Sequence, residues 1–516
     1  MAYHMSMVSS FANHMGFPPL NPQCAWQPLS YHYLVDFHSA VLHISGLPLY
    51  LSVEIPQILF SFALAGLVCH FYKTILEEEG KALFAAMFFV GGHIGFFNLL
   101  FAAVGFPAAV TTFDGSSWAG IKEQMLFSFM NFLNITINFF QPQRPFLFGF
   151  PMSLIILSSL YDTLVKHDEI NYWRLMTVSL LTGLLPLFHV HSFMVVAPVV
   201  CVSAFYLCPD RRRTASALLP VLLGVIQIWL ILSGPKGANY SGFDVHTLGG
   251  GLREMMVLNS ALIARILFWI RAAGAPLILG TAAAYLYFRQ NRDFSCISGS
   301  KNIFLMVFLI VNCSYFIIIN FYRFTPNWGD SNKFFLYLSL CMSIFMGSIA
   351  WGIFNSGGVA TKSAVIATIM AAGVLPQAVE HYAIFFTKPS GVLYTGCDVK
   401  AAQWIKANTA ANAVFLTDNG IVHFVAPLTG RAVVDGAYNR ETGYANPERE
   451  NEIKKIFSTA EAWLIKKYNI DFIVVSRYER AAFAVNDDAL KRYKKVYDEQ
   501  CHGENYNEHY KVYDTR

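Results

Sequence analysis

Apolar runs of roughly 20 residues recur along this chain, each long enough to cross about 30 Å of hydrocarbon. They lie near Leu51–Tyr72, Ala82–Phe106, Pro145–Val165, Trp173–Phe188, Val190–Leu207, Thr214–Leu232, Leu262–Phe288, Ile303–Phe321, Phe334–Phe354 and Ser363–Phe386. About ten spans of this kind describe an α-helical polytopic membrane protein, because a helix satisfies its own backbone inside lipid. Composition agrees, with 55% hydrophobic and only 14% charged residues. The net charge of +4 is small for 516 residues and gives no case for nucleic acid. The fourth and fifth runs are short and are broken by Pro186 and "HVHS". They read either as two spans or as one bent span, and the second choice reverses the parity of everything downstream.

Lys and Arg near span ends stay on the cytoplasmic side. With ten spans, "YKTILEEEGK", "VKHDEINYWR", "CPDRRR" and "RQNRDFSCISGSK" fall on that side. The opposite, outer set is then 1–50, 107–144, 233–261, 322–333 and all that follows 387. Three regions result: an extracytoplasmic first loop (1–50), a multi-span transmembrane domain (51–387) and an extracytoplasmic C-terminal domain (388–516). In the last, "AVFLTDN", "RAVVDGA" and "DFIVVS" read as strands, and "AAQWIKANT", "ERENEIKKIF" and "AEAWLIKKYNI" as helices. That alternation predicts a small α/β domain with a mainly parallel sheet. Cys24, Cys397 and Cys501 lie on the outer side, which leaves a Cys397–Cys501 disulfide open.

Polar residues in the outer segments are the candidates for chemistry. They are His4, His32, Asp36 and His38 in the opening segment; Asp114 and Glu123 in "FDGSSWAGIKEQ"; Arg144 in "FFQPQRPFLFGFP"; His189 and His191 in "LLPLFHVHSF"; and Asp330 and Lys333 in "NWGDSNKFF". Histidine and carboxylate are metal ligands, but no HxxxH or HExxH spacing occurs on one helix, so a divalent metal and its ligands stay open. Arg144 at the mouth of a span suits a snorkelling anchor and a bidentate phosphate clamp equally. Asp330 and Lys333, three apart, fit a local ion pair or cap as well as a ligand site.

Taken together, "YHMSMVSSFANHMGFPPLNPQ", "PLSYHYLVDFHSAVLHISGLPL", "QRPFLFGFPMSLIIL", "GLLPLFHVHSF", "NWGDSNKFFLYLSL", "AAQWIKANTAANAVFLTD" and "GRAVVDGAYNRETGYANPERENEIKKIF" resemble the integral-membrane glycosyltransferases of the GT-C superfamily. The match is to prokaryotic-type members with a C-terminal extracytoplasmic domain. The resemblance implies an enzyme of the plasma membrane or an endomembrane, moving a hexose or pentose from a polyprenyl-phosphate carrier to a glycan, lipid or protein acceptor on the outer face. Such chemistry needs a carboxylate base and cations beside the departing phosphate. The resemblance puts that base in the first outer loop, as an Asp separated from a His by two or three residues. Here His4 is present and Met1 stands where the Asp is expected. Asp36 is then the carboxylate expected to act as base, with Glu123 next, and Arg144, His189, His191 and Lys333 follow as phosphate contacts, with Asp330 beside them. The resemblance also implies a first transmembrane helix ahead of residue 1, followed by a short polar stretch carrying the missing acid. A multi-pass transporter or flippase and an inactive GT-C scaffold are the competing readings. No pair of matching halves with interrupted spans supports the transporter.

Overall fold

The computed structural model describes residues 2–13, 16–91, 144–167, 169–232, 242–243, 277–290, 299–324, 333–371, 393–420, 422–503 and 506–516. The chain divides into two units, one made of Met1–Pro56, Trp229–Tyr240 and Ser390–Arg516, the other of Gln57–Ile228 and Ser241–Pro389.

Among the described residues six helices are long and apolar enough to span a membrane: Leu49–Leu76, Arg144–Lys166, Val190–Leu207, Arg211–Leu230, Ser300–Ile319 and Lys333–Ser356. The expected spans at 82–106, 262–288 and 363–386 fall partly outside the described residues, and Tyr172–Phe188 is shorter, at 17 residues. The protein is therefore a multi-pass, mostly helical membrane protein, with six spans counted by length and composition among the described residues. We label α1 (Ala2–Ala12), α2 (Leu34–Ile44), α3 (Leu49–Leu76), α4 (Arg144–Tyr161), α5 (Tyr172–Phe188), α6 (Val190–Leu207), α7 (Ser300–Ile319) and α8 (Lys333–Ser356). Helix α8 is the centre of its unit, 83% buried across its apolar window, whereas Arg211–Leu230 is only 28% buried. Leu222, Ile226 and Trp229 on the latter face outward, as expected of a helix whose solvent is lipid. Helices α5 and α6 are separate elements, joined at His189, whose backbone is extended (φ −162°, ψ 108°). The unpaired amides at the start of α6 thereby meet the side chain of His189 itself, whose Nδ1 accepts from Ser192 N–H at 3.3 Å.

The C-terminal domain runs α9 (Gly396–Asn408), β1 (Val414–Leu416), α10 (Val425–Thr429), β2 (Ala432–Val433), α11 (Pro447–Thr459), β3 (Phe472–Val475), α12 (Arg477–Ala482), β4 (Lys494–Gly503) and β5 (Tyr506–Asp514). Strand order is β2-β1-β3-β5-β4. β2, β1 and β3 are parallel, and β5 is antiparallel to β3 and β4. β1 and β3 are buried along their whole length, since apolar layers cover both faces. Phe415, Phe472, Ile405 and Phe424 pack on one side, and Leu416, Ile473, Ile456 and Phe457 on the other. The sheet is thus mixed rather than mainly parallel. The β4–β5 hairpin escapes a reading by apolar pattern because Lys, Asp, Glu and His are scattered through it without a period of two. Cys397 and Cys501 sit in the same apolar cluster as free thiols.

The opening segment, expected as a loop, contains α1 and α2 and belongs to the unit of the C-terminal domain. Ser9 Oγ donates to Pro427 O (2.6 Å) and Asn13 Nδ2 to Thr429 O (2.9 Å). Gly430, which ends α10 in the left-handed conformation at φ +69°, would place a Cβ 2.3 Å from Asn13 Nδ2, so only glycine admits this approach. Residues 22–25 then close the edge of β2: Val433 N–H donates to Pro22 O at 3.0 Å and Ala25 N–H to Val433 O at 2.9 Å.

Candidate active site

Of the first-loop candidates, His4 lies on α1 and Asp36 in the first turn of α2. Apolar packing of Tyr3, Met7, Val8 and Phe11 with Ala40 and Val53 brings the two helices together. His4 Nδ1 then sits 2.9 Å from Asp36 Oδ2 and 3.1 Å from Oδ1. Asp36 is fully buried and His4 nearly so, and the ring of Tyr3 lies against those of Tyr31 and Tyr438 beside them. A buried carboxylate held by an imidazole has its lone pairs aimed.

The second group lies in the helical unit. Arg144 begins α4 and is fully buried; His189 caps α6 and His191 is in its first turn; Lys333 begins α8. Side chains tie these three helix starts together. The Phe146 ring meets His189 edge-on at 5.6 Å, the His189 and His191 rings are 5.2 Å apart, and His191 meets Phe334, the neighbour of Lys333, at 5.3 Å. Gly149 allows the close approach of α4 and α6, since a Cβ there would fall 2.3 Å from His189 Cβ. A buried polar chain runs behind the rings, His189 Nδ1 to Ser192 Oγ (2.8 Å), Ser192 Oγ to Tyr337 OH (2.5 Å) and Tyr337 OH to Ser153 Oγ (2.8 Å). Ser153 and Tyr337 had no signal in the sequence, because their partners are distant in the chain; Ser192 stood within "HVHS".

Three helix N-termini with Arg, Lys and two His side chains form a locus that favours an anion. Beside it an apolar cavity of about 530 Å³ is lined by Phe193, Met194, Pro198, Leu222, Val225 and Tyr315. Phe193 follows His191 by two residues, and Tyr315 stacks on Phe334 at 4.8 Å. Glu123 and Asp330, like Asp114, lie outside the described residues.

A third cluster, absent from the sequence reading, is in the C-terminal domain. Asp418, His423 and Glu479 are all buried, with one ligand atom from each lying within 4.8 Å of the others. Burial pushes the Asp418 carboxyl up to about 6, against the opposing pull of His423. Burial works the same way on Glu479, but the His423 ring and the hydrogen bonds from His423, Ser476 and the Asp418 amide outweigh it and hold the group below its ordinary range. These are residue types that hold a divalent metal. Asp418 and His423 are five apart in a loop and Glu479 is remote in sequence, so no helix spacing announces the group.

The fold is like that of a solved archaeal membrane oligosaccharyltransferase. It is similar to the Archaeoglobus fulgidus oligosaccharyltransferase in its apo form, with a TM-score of 0.53 at 11% identity over 96% of this chain and 68% of that one. The same enzyme in complex with Zn and sulfate gives 0.52 at 12% identity, over 92% and 63%. The chain thus spans about two thirds of the length of these solved structures. No protein-family model and no curated protein sequence matches it.

Proposed function

We propose that this protein is a membrane glycosyltransferase that moves a sugar from a polyprenyl-phosphate carrier to an acceptor at the outer face of the membrane, where its C-terminal domain also lies. The observation that carries the reading is the junction of an anion-favouring locus with an apolar cavity in one helical unit, which together match the two ends of a prenyl phosphate. In this reading Arg144, Lys333, His189 and His191 stabilise the charge on the departing phosphate, and the polar chain through Ser192 and Tyr337 holds His189 in place. Asp36 is the base that takes the acceptor proton, with His4 orienting it; Glu123 is the next candidate for the base, and Asp330 a candidate for substrate binding. The GT-C-like fold supports the class of reaction, while sugar and acceptor follow from assay.

The test is incubation of membranes containing the protein with labelled polyprenyl-phosphate sugars and a mixed acceptor fraction. Transfer of label that is lost in Asp36→Asn and Arg144→Ala supports the reading. Movement of intact labelled lipid between leaflets without transfer replaces it by a flippase, and neither activity leaves an inactive scaffold.

A further inference from the structure

We propose that Asp418, His423 and Glu479 form a zinc site in the C-terminal domain. The three residues gather at the carboxyl ends of the parallel strands. Asp418 follows β1 by two residues, Glu479 sits in the first turn of α12 after β3, and His423 stands in the turn before α10. In open α/β sheets this edge is where ligands are held. His423 Nε2 lies 2.8 Å from Glu479 Oε1 and 3.8 Å from Asp418 Oδ1. Ligand atoms around a tetrahedral zinc with bonds of about 2.0–2.1 Å lie about 3.3 Å apart, midway between these distances.

The remaining lone pairs are already committed in a way that aims the three atoms inward. Glu479 Oε2 accepts from Ser476 N–H (2.8 Å) and Oγ (2.6 Å), which fixes the carboxylate as the closing arm of a capping box. Glu479 Oε1 also accepts from Asp418 N–H at 3.0 Å. Asp418 Oδ2 accepts from Gly420 N–H at 3.0 Å, leaving Oδ1 directed at His423. Asp418 Oδ1 is the second observation: its side chain is only 8% exposed, and the atom accepts no hydrogen bond from any described residue. A stranded carboxylate oxygen in the interior is costly and calls for a partner. Two buried carboxylates around one imidazole leave net negative charge whether or not the ring is protonated. A divalent cation removes it, and mixed imidazole and carboxylate donors suit zinc. On binding, the metal takes Nε2 and the proton moves to Nδ1, at the expense of the long 3.3 Å contact from Val425 N–H to Nδ1. A solvent molecule completes the tetrahedron.

The site is independent of the glycosyl-transfer reading, and its test reads metal alone. The full chain, purified in detergent and stripped with a chelator, is titrated with zinc against a fluorescent competitor and with Co2+ by visible absorption. Expected are one equivalent of tight zinc, tetrahedral Co2+ bands and a zinc-dependent rise in melting temperature, each lost in Asp418→Asn and His423→Gln with affinity down at least about 100-fold. Asp418→Asn removes the stranded charge, so its metal-free melting temperature should equal or exceed that of the metal-free wild type, which separates loss of a ligand from loss of fold. Absence of tight zinc in the wild type overturns the proposal. So does zinc retained equally by the two variants, which places the ion elsewhere.

Discussion

Gly149→Ala should disable the anion locus while changing no polar group. The added Cβ would lie 2.3 Å from His189 Cβ and 3.2 Å from Ser192 Oγ. Non-bonded carbons rest at about 3.5–4.0 Å, so α4 and α6 must part by more than about 1 Å, or His189 must turn away. Overpacking of this kind costs about 1–3 kcal/mol. A misplacement of about 1 Å in a catalytic constellation costs about 100-fold in rate. The matched control is Gly352→Ala in α8, where a Cβ meets nothing within 4 Å and the helix should gain about 0.5–1 kcal/mol. Melting temperature in detergent and initial transfer rate from labelled polyprenyl-phosphate sugar are measured for both. Expected is a lower melting temperature and a transfer rate down about 100-fold for Gly149→Ala, with Gly352→Ala at or above wild type in both. Wild-type melting and transfer for Gly149→Ala would refute the close contact and, with it, the role given to His189.

Asp36→Asn keeps shape and removes charge, so transfer should fall about 100-fold or more with the melting temperature nearly kept; near-normal turnover moves the base elsewhere. Arg144→Lys retains charge but loses the two-pronged grip, and the donor KM should rise about tenfold. Cysteine labels in the "PDRRR" loop should react only from the cytoplasmic side and labels after residue 397 only from outside; both reacting from one side refutes the topology. Hydrogen bonds from Arg480 and Lys511 hold Asp487 at about 2, below its ordinary 3.8. The folded state then binds this proton less readily than the unfolded chain. The stabilisation is therefore full above about 3.8 and lost as pH falls through about 2, and acid unfolding curves of Asp487→Asn should lack that component.

The apolar runs made the helical character legible, because a spanning helix writes its length directly into composition. The parallel strands "AVFLTDN" and "DFIVVS" were legible for a similar reason: buried on both faces, they are apolar throughout. Strands β4 and β5 were not, since "KKVYDEQCH" and "YNEHYKVYD" carry charged residues in no period-2 pattern and pair only with each other and β3. The site candidates follow the same division. His189, His191, Arg144 and Lys333 stood out as polar residues at the ends of apolar runs, and the link between His4 and Asp36 was anticipated only as membership of one segment. Tyr337 and Ser153 lie inside such runs, where an aromatic or small residue is unremarkable, and Asp418, His423 and Glu479 are united only by the folded sheet edge.

Three of the hydrogen bonds that fasten the opening segment to the C-terminal domain join residues 416 to 418 positions apart. At about 5–20 residues per second of synthesis, α1 waits roughly 20–80 s for α10 to be made. Through that interval Met7, Val8 and Phe11, buried in the finished protein, have no C-terminal surface to rest on. This apolar opening segment is therefore held without its partner until the C-terminal domain emerges, and an insertion factor or chaperone that shields it would set the yield of native protein.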